Sequence, residues 1–142
     1  MQKFFYLVVL ALLLTSSCAK EKPPFKFPRN LAQGWSINEE SEIPMSAAPE
    51  TLRALSFKKA WRAGYRGPGG IFTATVYEAP AEAVAFEAAQ KWRSAAGQMA
   101  FHKESYFVTL ESPGVSNASL GMLLKELESA VAAWGKDRKS VV

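Results

Sequence analysis

The chain contains very few of the residues from which catalytic and metal sites are usually built. Its 142 residues include one cysteine, Cys18, one histidine, His102, and one aspartate, Asp137. A Ser-His-Asp relay would have to join His102 to Asp137, which lies near the end of the chain. Zinc sites draw several His or Cys ligands, and the sequence has neither an HExxH motif nor an EF-hand loop. We therefore expect no metal, no cofactor and no enzymatic activity. Because the chain has one cysteine, it cannot form a disulfide within itself.

Three smaller groups of residues leave other possibilities open. A hydrolase could use a glutamate or His102 as its acid or base. The acidic residues Glu39, Glu40 and Glu42 could form a weak calcium site, although a solvated acidic loop is the default interpretation. The segment Gly67–Gly70 is rich in glycine, but no Lys-Ser/Thr pair follows it. The sequence therefore favours a turn between two strands over a phosphate-binding loop.

The longest apolar run lies at the start of the chain. It extends over eleven residues from Phe4 to Leu14, after the basic Lys3, and is followed by small residues and Cys18. The run is well short of the ~20 residues of a membrane-spanning helix. A basic start, an apolar middle and small residues are the layout of a secretory signal. With its cysteine, this stretch resembles a bacterial lipoprotein signal, in which the cysteine becomes the lipid-bearing first residue.

This resemblance predicts a signal peptide over residues 1–17 that is removed, and a lipid on Cys18. The alternatives are an ordinary signal peptide with a stray cysteine, or an uncleaved apolar anchor. A lone exposed thiol in a secreted domain is unfavourable, which argues for acylation. Because Ala19 follows the cysteine, the analogy with lipoproteins favours the periplasmic face of the outer membrane.

The charge of the chain bears on its partners. The formal net charge is +4 at pH 7. In an exported protein this modest excess does not indicate nucleic-acid binding, whereas it suits attraction to anionic envelope surfaces. We expect the membrane to be a partner through the lipid on Cys18, together with an envelope protein or an anionic envelope polymer. The oligomeric state stays open.

The composition predicts one folded domain behind a spacer. With 49% hydrophobic and 12% aromatic residues, the chain can bury a core, and we place a single domain at residues 31–135. Residues 18–30 contain three prolines and are predicted to form a lipidated tether. In this tether Phe25 and Phe27 either dock on the domain, which we favour, or enter lipid headgroups. Gly135 is predicted to end the last helix, which leaves residues 136–142 as a frayed basic tail.

Apolar residues recurring with periods of two and of three to four predict an α+β fold. We expect a small antiparallel sheet of three to five strands, packed by two main helices, in the order α-β-β-α-β-α. The first two predicted strands form a hairpin through the Gly67–Gly70 turn, and the third bends near its middle. The main predicted strands span 57–66, 71–78 and 99–111, and the predicted main helices span 80–94 and 117–134. Residues 31–43 are predicted to hold a short mixed strand and an acidic turn, and a short helix is predicted from Ser46 to about Leu55.

The predicted hairpin suggests a contact surface. Alternation places Phe72, Ala74 and Val76 on one face, and we expect this face to lie under the alanine-rich helix at 80–94. The opposite face is the predicted contact surface, because tryptophan and tyrosine are frequent binding anchors. The alternative is that the short helix and the segment around Trp35 cover it as a second core. The predicted contact residues are Trp61, Tyr65 and Tyr77.

The order of these elements resembles that of uncharacterised secreted proteins from environmental bacteria. The resemblance rests on Trp35 near the start, a strand ending in tyrosine, a glycine turn, and a strand-helix-strand series. It covers roughly residues 31–134 and is similar to one half of a domain that those proteins tend to carry twice. The resemblance implies export and this fold, and it assigns no activity to any residue.

Two functions therefore compete. The first is a binding or interaction module of the cell envelope that acts without catalysis. The second is a structural or assembly subunit of a larger envelope complex. Two helices are too few to cover both sides of a sheet, so one face could remain open. The predicted contact surface would discriminate the two functions, according to whether residues 31–55 cover it.

Overall fold

A six-stranded antiparallel sheet, curled into a half-barrel, dominates the structure, a computed structural model that describes residues 24–139. Two hairpins form its centre and one edge. Its strands are β1 (Asn30–Leu31), β2 (Trp35–Ile43), β3 (Lys59–Gly67), β4 (Gly70–Glu78), β5 (Gln98–Lys103) and β6 (Tyr106–Glu111). The spatial order is β1-β2-β3-β4-β6-β5. In the first hairpin Gly67 pairs with Gly70, and the second turns at Glu104 and Ser105.

Three helices accompany the sheet: α1 (Glu50–Arg53), α2 (Glu82–Lys91) and α3 (Asn117–Lys139). The prediction of three to five strands packed by two main helices is therefore wrong, although the α+β class is right. The predicted order α-β-β-α-β-α also fails, because the described chain begins with two strands and not with a helix.

Only a short strand followed by an acidic turn is predicted where β2 lies, because the side chains of β2 do not alternate between apolar and polar. Its nine residues include five in a row that are polar, and most of its side chains are exposed. A bulge between Ile37 and Glu39 also shifts the register by one residue. Backbone pairing with β3, from Ser36 opposite Arg66 to Ile43 opposite Ala60, holds this strand in place.

The two faces of the sheet are packed by different helices. The face under α3, termed the α3 face, carries the larger core, whereas α1 and α2 pack on the opposite α2 face. Phe72, Ala74 and Val76 belong to the α3 face, so the prediction that they lie under the alanine-rich helix is wrong. The core of the α3 face includes Trp61, Ala63, Tyr65, Phe72, Ala74, Val76, Val108, Leu110, Leu120, Leu127 and Val131.

The α2 face has a smaller core. Ala85 and Ala88 of α2 pack on Tyr77 and Phe107, and the same cluster contains Leu52 of α1. The alanines allow the helix to approach the sheet closely, as the sequence suggests, but on the face opposite to the predicted one. This core occupies only the part of the face that lies near Tyr77 and Phe107.

The segment before β1 belongs to the core of the α3 face. Phe25 and Phe27 are only 2% and 4% exposed. The ring of Phe25 lies 5.7 Å from that of Trp134 and 6.3 Å from that of Trp61, between centroids. Of the two positions expected for these phenylalanines, docking on the domain is the one observed. The predicted tether at residues 18–30 therefore overlaps the core from Phe25 onwards.

The last helix also departs from its prediction. α3 passes through Gly135 and ends at Lys139, so the predicted tail begins inside the helix. Gly135 is buried against the carboxylate of Glu104 in the β5–β6 turn, where a Cβ atom would collide. The residue is therefore a point of close helix packing and does not terminate the helix.

The sheet has two ends, which differ in the elements that meet there. The entry end is where Phe25, the turn at Glu104 and the last turns of α3 meet. The glycine-turn end lies opposite, at the β3–β4 turn formed by Pro68 and Gly69. The segment before β1 runs from the entry end towards the glycine-turn end.

Candidate functional site

The structure buries the three residues predicted to form a contact surface and divides them between two faces. Trp61 and Tyr65 are 4% and 0% exposed and lie on the α3 face, whereas Tyr77 is 3% exposed and lies on the α2 face. In the hairpin Tyr65 is opposite Phe72, and Tyr77 is opposite Ala60. The three side chains therefore belong to two cores and do not form one exposed surface.

The hydroxyl group of Tyr65 has a hydrogen-bonding partner in the segment before β1. This group donates a hydrogen bond of 2.8 Å to the carbonyl oxygen of Pro28, and the ring stacks on Phe72 with 4.7 Å between centroids. Burial raises the pKa of Tyr65 above its ordinary value; the Glu40 carboxylate adds to this increase, and the Arg29 guanidinium opposes it. A neutral phenol in this position ties the segment before β1 to the sheet.

The glycine-turn half of the α2 face lies beyond the packed core and carries polar side chains. Arg62 is opposite Thr75, Gly64 is opposite Thr73, and Thr75 is also opposite Thr109 of β6. Side chains alternate along a strand, so Arg66 shares this face with Arg62. Both arginines are exposed. We term this surface the open polar face: Arg62 and Arg66 are exposed on it, Thr73 and Thr109 are partly exposed, and Gly64 and Thr75 are buried between them. The exposed Ile71 and the carboxylate of Glu111 lie on the same face.

Tyr77 marks the boundary between the packed and the open parts of the α2 face. Its side chain forms a hydrogen bond with that of Thr75. Burial raises the pKa of Tyr77 above its ordinary value; the Arg62 guanidinium opposes this effect, and the Glu111 carboxylate adds to it. The phenol therefore stays protonated at neutral pH, where it is a hydrogen-bonding group and not a base.

The two arginines of the open polar face are available to a ligand. Within residues 24–137, neither Arg62 nor Arg66 is held by a hydrogen bond or an ion pair. Positions four residues apart on a strand are separated by about 13 Å. Glu39 lies between them, since a Cβ atom on Gly64 would be 3.0 Å from its Cγ atom. This arrangement suits an extended ligand that carries spaced anionic groups, because guanidinium groups bind carboxylates and phosphates in a bidentate manner.

No protein-family model, curated protein or solved structure matches this chain. None of the helices within residues 24–139 combines the length and the apolar composition needed to cross a bilayer. Cys18 and the predicted signal peptide lie outside the described residues.

The remaining candidate residues are dispersed. His102 lies on β5 and faces α2, with its ring 5.3 Å from that of Phe86, whereas Asp137 is carried by α3 on the other side of the sheet. The structure does not bring these two residues together. In the described part of the chain, no group of three or more His, Cys, Asp or Glu side chains is placed to hold a metal ion.

Glu39, Glu40 and Glu42, which were predicted to lie in a loop, lie on β2. Glu39 is opposite Gly64 and Glu40 is opposite Ala63, so these neighbouring carboxylates point to opposite faces of the sheet. Glu42 is opposite Trp61, on the same face as Glu40. Three carboxylates divided between two faces do not converge on one calcium ion.

Sequence reasoning missed the open polar face, although a signal for it was present. A two-residue turn makes Gly67 the partner of Gly70. Odd-numbered residues of β3 then share a face with even-numbered residues of β4, which places Arg62 beside Thr75 and Trp61 beside Val76. The register of the turn, and not alternation within each strand, assembles this surface.

Proposed function

We propose that the protein is an exported, lipid-anchored binding module of the bacterial envelope that acts without catalysis. Export and anchoring are supported by the short apolar run at the start of the chain and by the lone Cys18 after it. The proposed location is the periplasmic face of the outer membrane. The proposed ligand is an anionic envelope polymer that carries carboxylate or phosphate groups, and the proposed contact surface is the open polar face.

The observation that carries this proposal is the pair of unengaged guanidinium groups, Arg62 and Arg66, on the open polar face. An antiparallel sheet is often solvated on one face, so polarity alone would not indicate binding. The two arginines on β3 provide donors for anionic groups, and the partly exposed Thr73 on β4 provides a hydroxyl group for a further hydrogen bond. A repeating acidic polymer can contact both arginines at once, which raises its effective affinity.

The test removes these two charges without disturbing either core. We expect Arg62→Gln with Arg66→Gln to reduce retention on immobilised alginate, a polysaccharide with a carboxylate on each sugar, by about tenfold or more. Retention of the wild type should also weaken with added salt, because exposed charges are screened. The melting temperature should stay nearly unchanged, since both side chains are exposed.

The matched control is Lys125→Gln with Lys136→Gln, which removes the same charge from exposed positions on α3. It should retain most of the binding. Equal losses in the two double variants would show that only net charge matters, and unchanged binding in both would contradict the proposed surface.

The anchor is tested separately. Cys18→Ser should prevent acylation and lipoprotein processing, because the thiol is the group that would receive the lipid. Mass spectrometry of the protein extracted from membranes measures both modifications. A Cys18→Ser variant that is lipidated or processed like the wild type would disprove the lipoprotein interpretation.

A further inference from the structure

β5 (Gln98–Lys103) ends the sheet, so one side of its backbone has no neighbouring strand. Lys103 pairs with Tyr106 across the two-residue turn, and the N–H of Ser112 donates a 2.8 Å hydrogen bond to the carbonyl of Gly97. The odd-numbered residues of this segment therefore bond to β6. Because backbone groups alternate in direction along an antiparallel strand, the N–H and C=O groups of Ala100 and His102 point away from the sheet.

The opposite edge of the sheet is protected, and this contrast is informative. β1 pairs with the start of β2, and the N–H of Ile37 donates a 2.9 Å hydrogen bond to the carbonyl of Arg29. The rest of β2 carries three glutamates, and charges on an edge strand oppose the addition of another strand. β5 has one charged residue, Lys103 at its end; it has no proline, and its register with β6 is continuous.

Apolar side chains flank the free edge of β5 on both faces. On the α2 face, the ring of Phe86 packs edge-on against His102 and is 50% exposed. On the α3 face, Phe101 of β5 and Leu124 of α3 are only partly buried at the margin of the core. Side chains of an added strand would point alternately to the two faces and so meet each of these places.

We propose that the free edge of β5 is a strand-addition site for an extended segment of a partner protein. Ala100 and His102 each offer one backbone donor and one acceptor, and hydrogen bonds of this kind hold an added strand. Phe86 and Phe101 select a segment with apolar side chains at alternate positions. Ala100 is opposite Thr109, so the site adjoins the margin of the open polar face. It uses backbone groups of β5 and does not depend on the polymer proposed as the ligand of that face.

A single strand fits this edge better than a second copy of the domain. α3 packs against β5 and therefore lies close to the free edge. Pairing two copies through β5 would bring two α3 helices together over the same junction, where helix axes need about 8–10 Å of separation and neighbouring strands lie about 4.8 Å apart. An isolated strand brings no helix with it.

Amide hydrogen exchange tests this proposal on the full chain, isotopically labelled and held in detergent micelles. The probe is a seven-residue peptide of alternating valine and threonine. With the peptide on nine-tenths of the sites, we expect exchange at Ala100 and His102 to slow by about tenfold, because exchange then proceeds only through the free protein. The amides of Met99 and Phe101 already bond to β6 and should change little.

Two controls keep the result interpretable. The same peptide with every amide methylated cannot donate to the carbonyls of Ala100 and His102, and its methyl groups prevent close strand pairing. It should therefore protect neither residue, and this control needs no protein variant. Ala100→Pro removes one outward N–H and should abolish the effect, whereas Ala100→Val keeps that N–H and should retain it.

Three outcomes would overturn the proposal. The first is that Ala100 and His102 are already protected in the dilute protein without peptide. The second is that the peptide at millimolar concentration leaves both amides unaffected or protects β2 instead. The third is that protection rises with protein concentration alone, which would make a second copy the occupant.

Discussion

Tyr65 joins three parts of the molecule through one side chain. Its ring stacks on Phe72 across the hairpin, its hydroxyl group donates to Pro28 in the segment before β1, and the residue lies fully buried in the core of the α3 face. Tyr77 has a similar position on the other face, where it bonds to Thr75. Both phenols are therefore neutral in the folded protein, and each has a hydrogen-bonding partner.

These two tyrosines predict a loss of stability in alkaline solution. Burial raises the pKa of Tyr65 and that of Tyr77 above the ordinary 10.0. A folded-state pKa above the unfolded one contributes stability that is fully present below about pH 10 and is lost as pH rises towards the folded pKa. Urea unfolding between pH 7 and pH 11 should show the free energy of unfolding falling above about pH 10.

Tyr65→Phe separates this effect from the titration of lysines. The variant should lose about 1 kcal/mol at pH 7, because the carbonyl of Pro28 loses its donor. Its stability should then fall less steeply than that of the wild type above about pH 10. Equal slopes in the two proteins would show that Tyr65 does not contribute to the alkaline loss.

At this scale the sequence predicts which side chains share a face of one strand, but not which faces meet across a hairpin. Alternation correctly grouped Phe72, Ala74 and Val76. Their cross-strand partners on β3 depend on whether the turn has an even or an odd number of residues. The sequence Gly67–Gly70 is compatible with several turn geometries. Grouping Trp61 and Tyr65 with Tyr77 depended on a register that the sequence left open, and the observed register places these residues on opposite faces of the sheet.

The β3–β4 hairpin shows how one element depends on another for its turn. Trp35 of β2 lies with its ring against Gly67, where any side chain would collide with it. The same ring packs on Phe72 with 5.1 Å between centroids. The glycine therefore makes room for the aromatic residue that closes the glycine-turn end of the core.

Gly67→Ala should destabilise the protein by about 1–3 kcal/mol, because the added methyl group displaces the ring of Trp35 from a well-packed position. Gly69→Ala is the matched control: a Cβ atom there meets nothing within 4 Å. Thermal unfolding of both variants measures the difference. Equal stabilities would mean that Trp35 does not pack on Gly67 as described.

The sequence predicted only a short strand and an acidic turn where the nine-residue β2 lies. β2 has neither alternation nor a continuous apolar run, and its pairing with β3 supplies its conformation. Propensity rules treat such a segment as a loop, because strand preference reflects packing on neighbours more than the backbone itself. The second hairpin, by contrast, was visible as a strand that bends near residues 103–105.

At the scale of the whole molecule, the core extends beyond the predicted domain boundary. Phe25 contacts Trp61, Tyr106 and Trp134, and so joins the sheet to the end of α3. Prolines and alternating charges around it indicated a spacer. Composition alone does not show that two phenylalanines in such a segment are buried in the core. The predicted domain boundary at residue 31 therefore lies too far along the chain.

Phe25→Ala should therefore destabilise the fold by about 3–5 kcal/mol, as expected for a fully buried phenylalanine. Phe86→Ala, at a residue that is 50% exposed, is the matched control and should cost much less. Denaturant unfolding of the two variants measures the contrast. If Phe25→Ala left the free energy of unfolding nearly unchanged, this segment would be a spacer and not part of the core.

The position of Phe25 would also limit the reach of a protein anchored through Cys18. Five residues lie between Cys18 and Pro24, and a fully extended chain over these six steps spans about 20 Å. The nine residues of β3 extend about 30 Å from the entry end to the glycine-turn end. A lipid on Cys18 would thus confine Arg66 to within about 50 Å of the bilayer surface, a height that only polymers lying close to the membrane share.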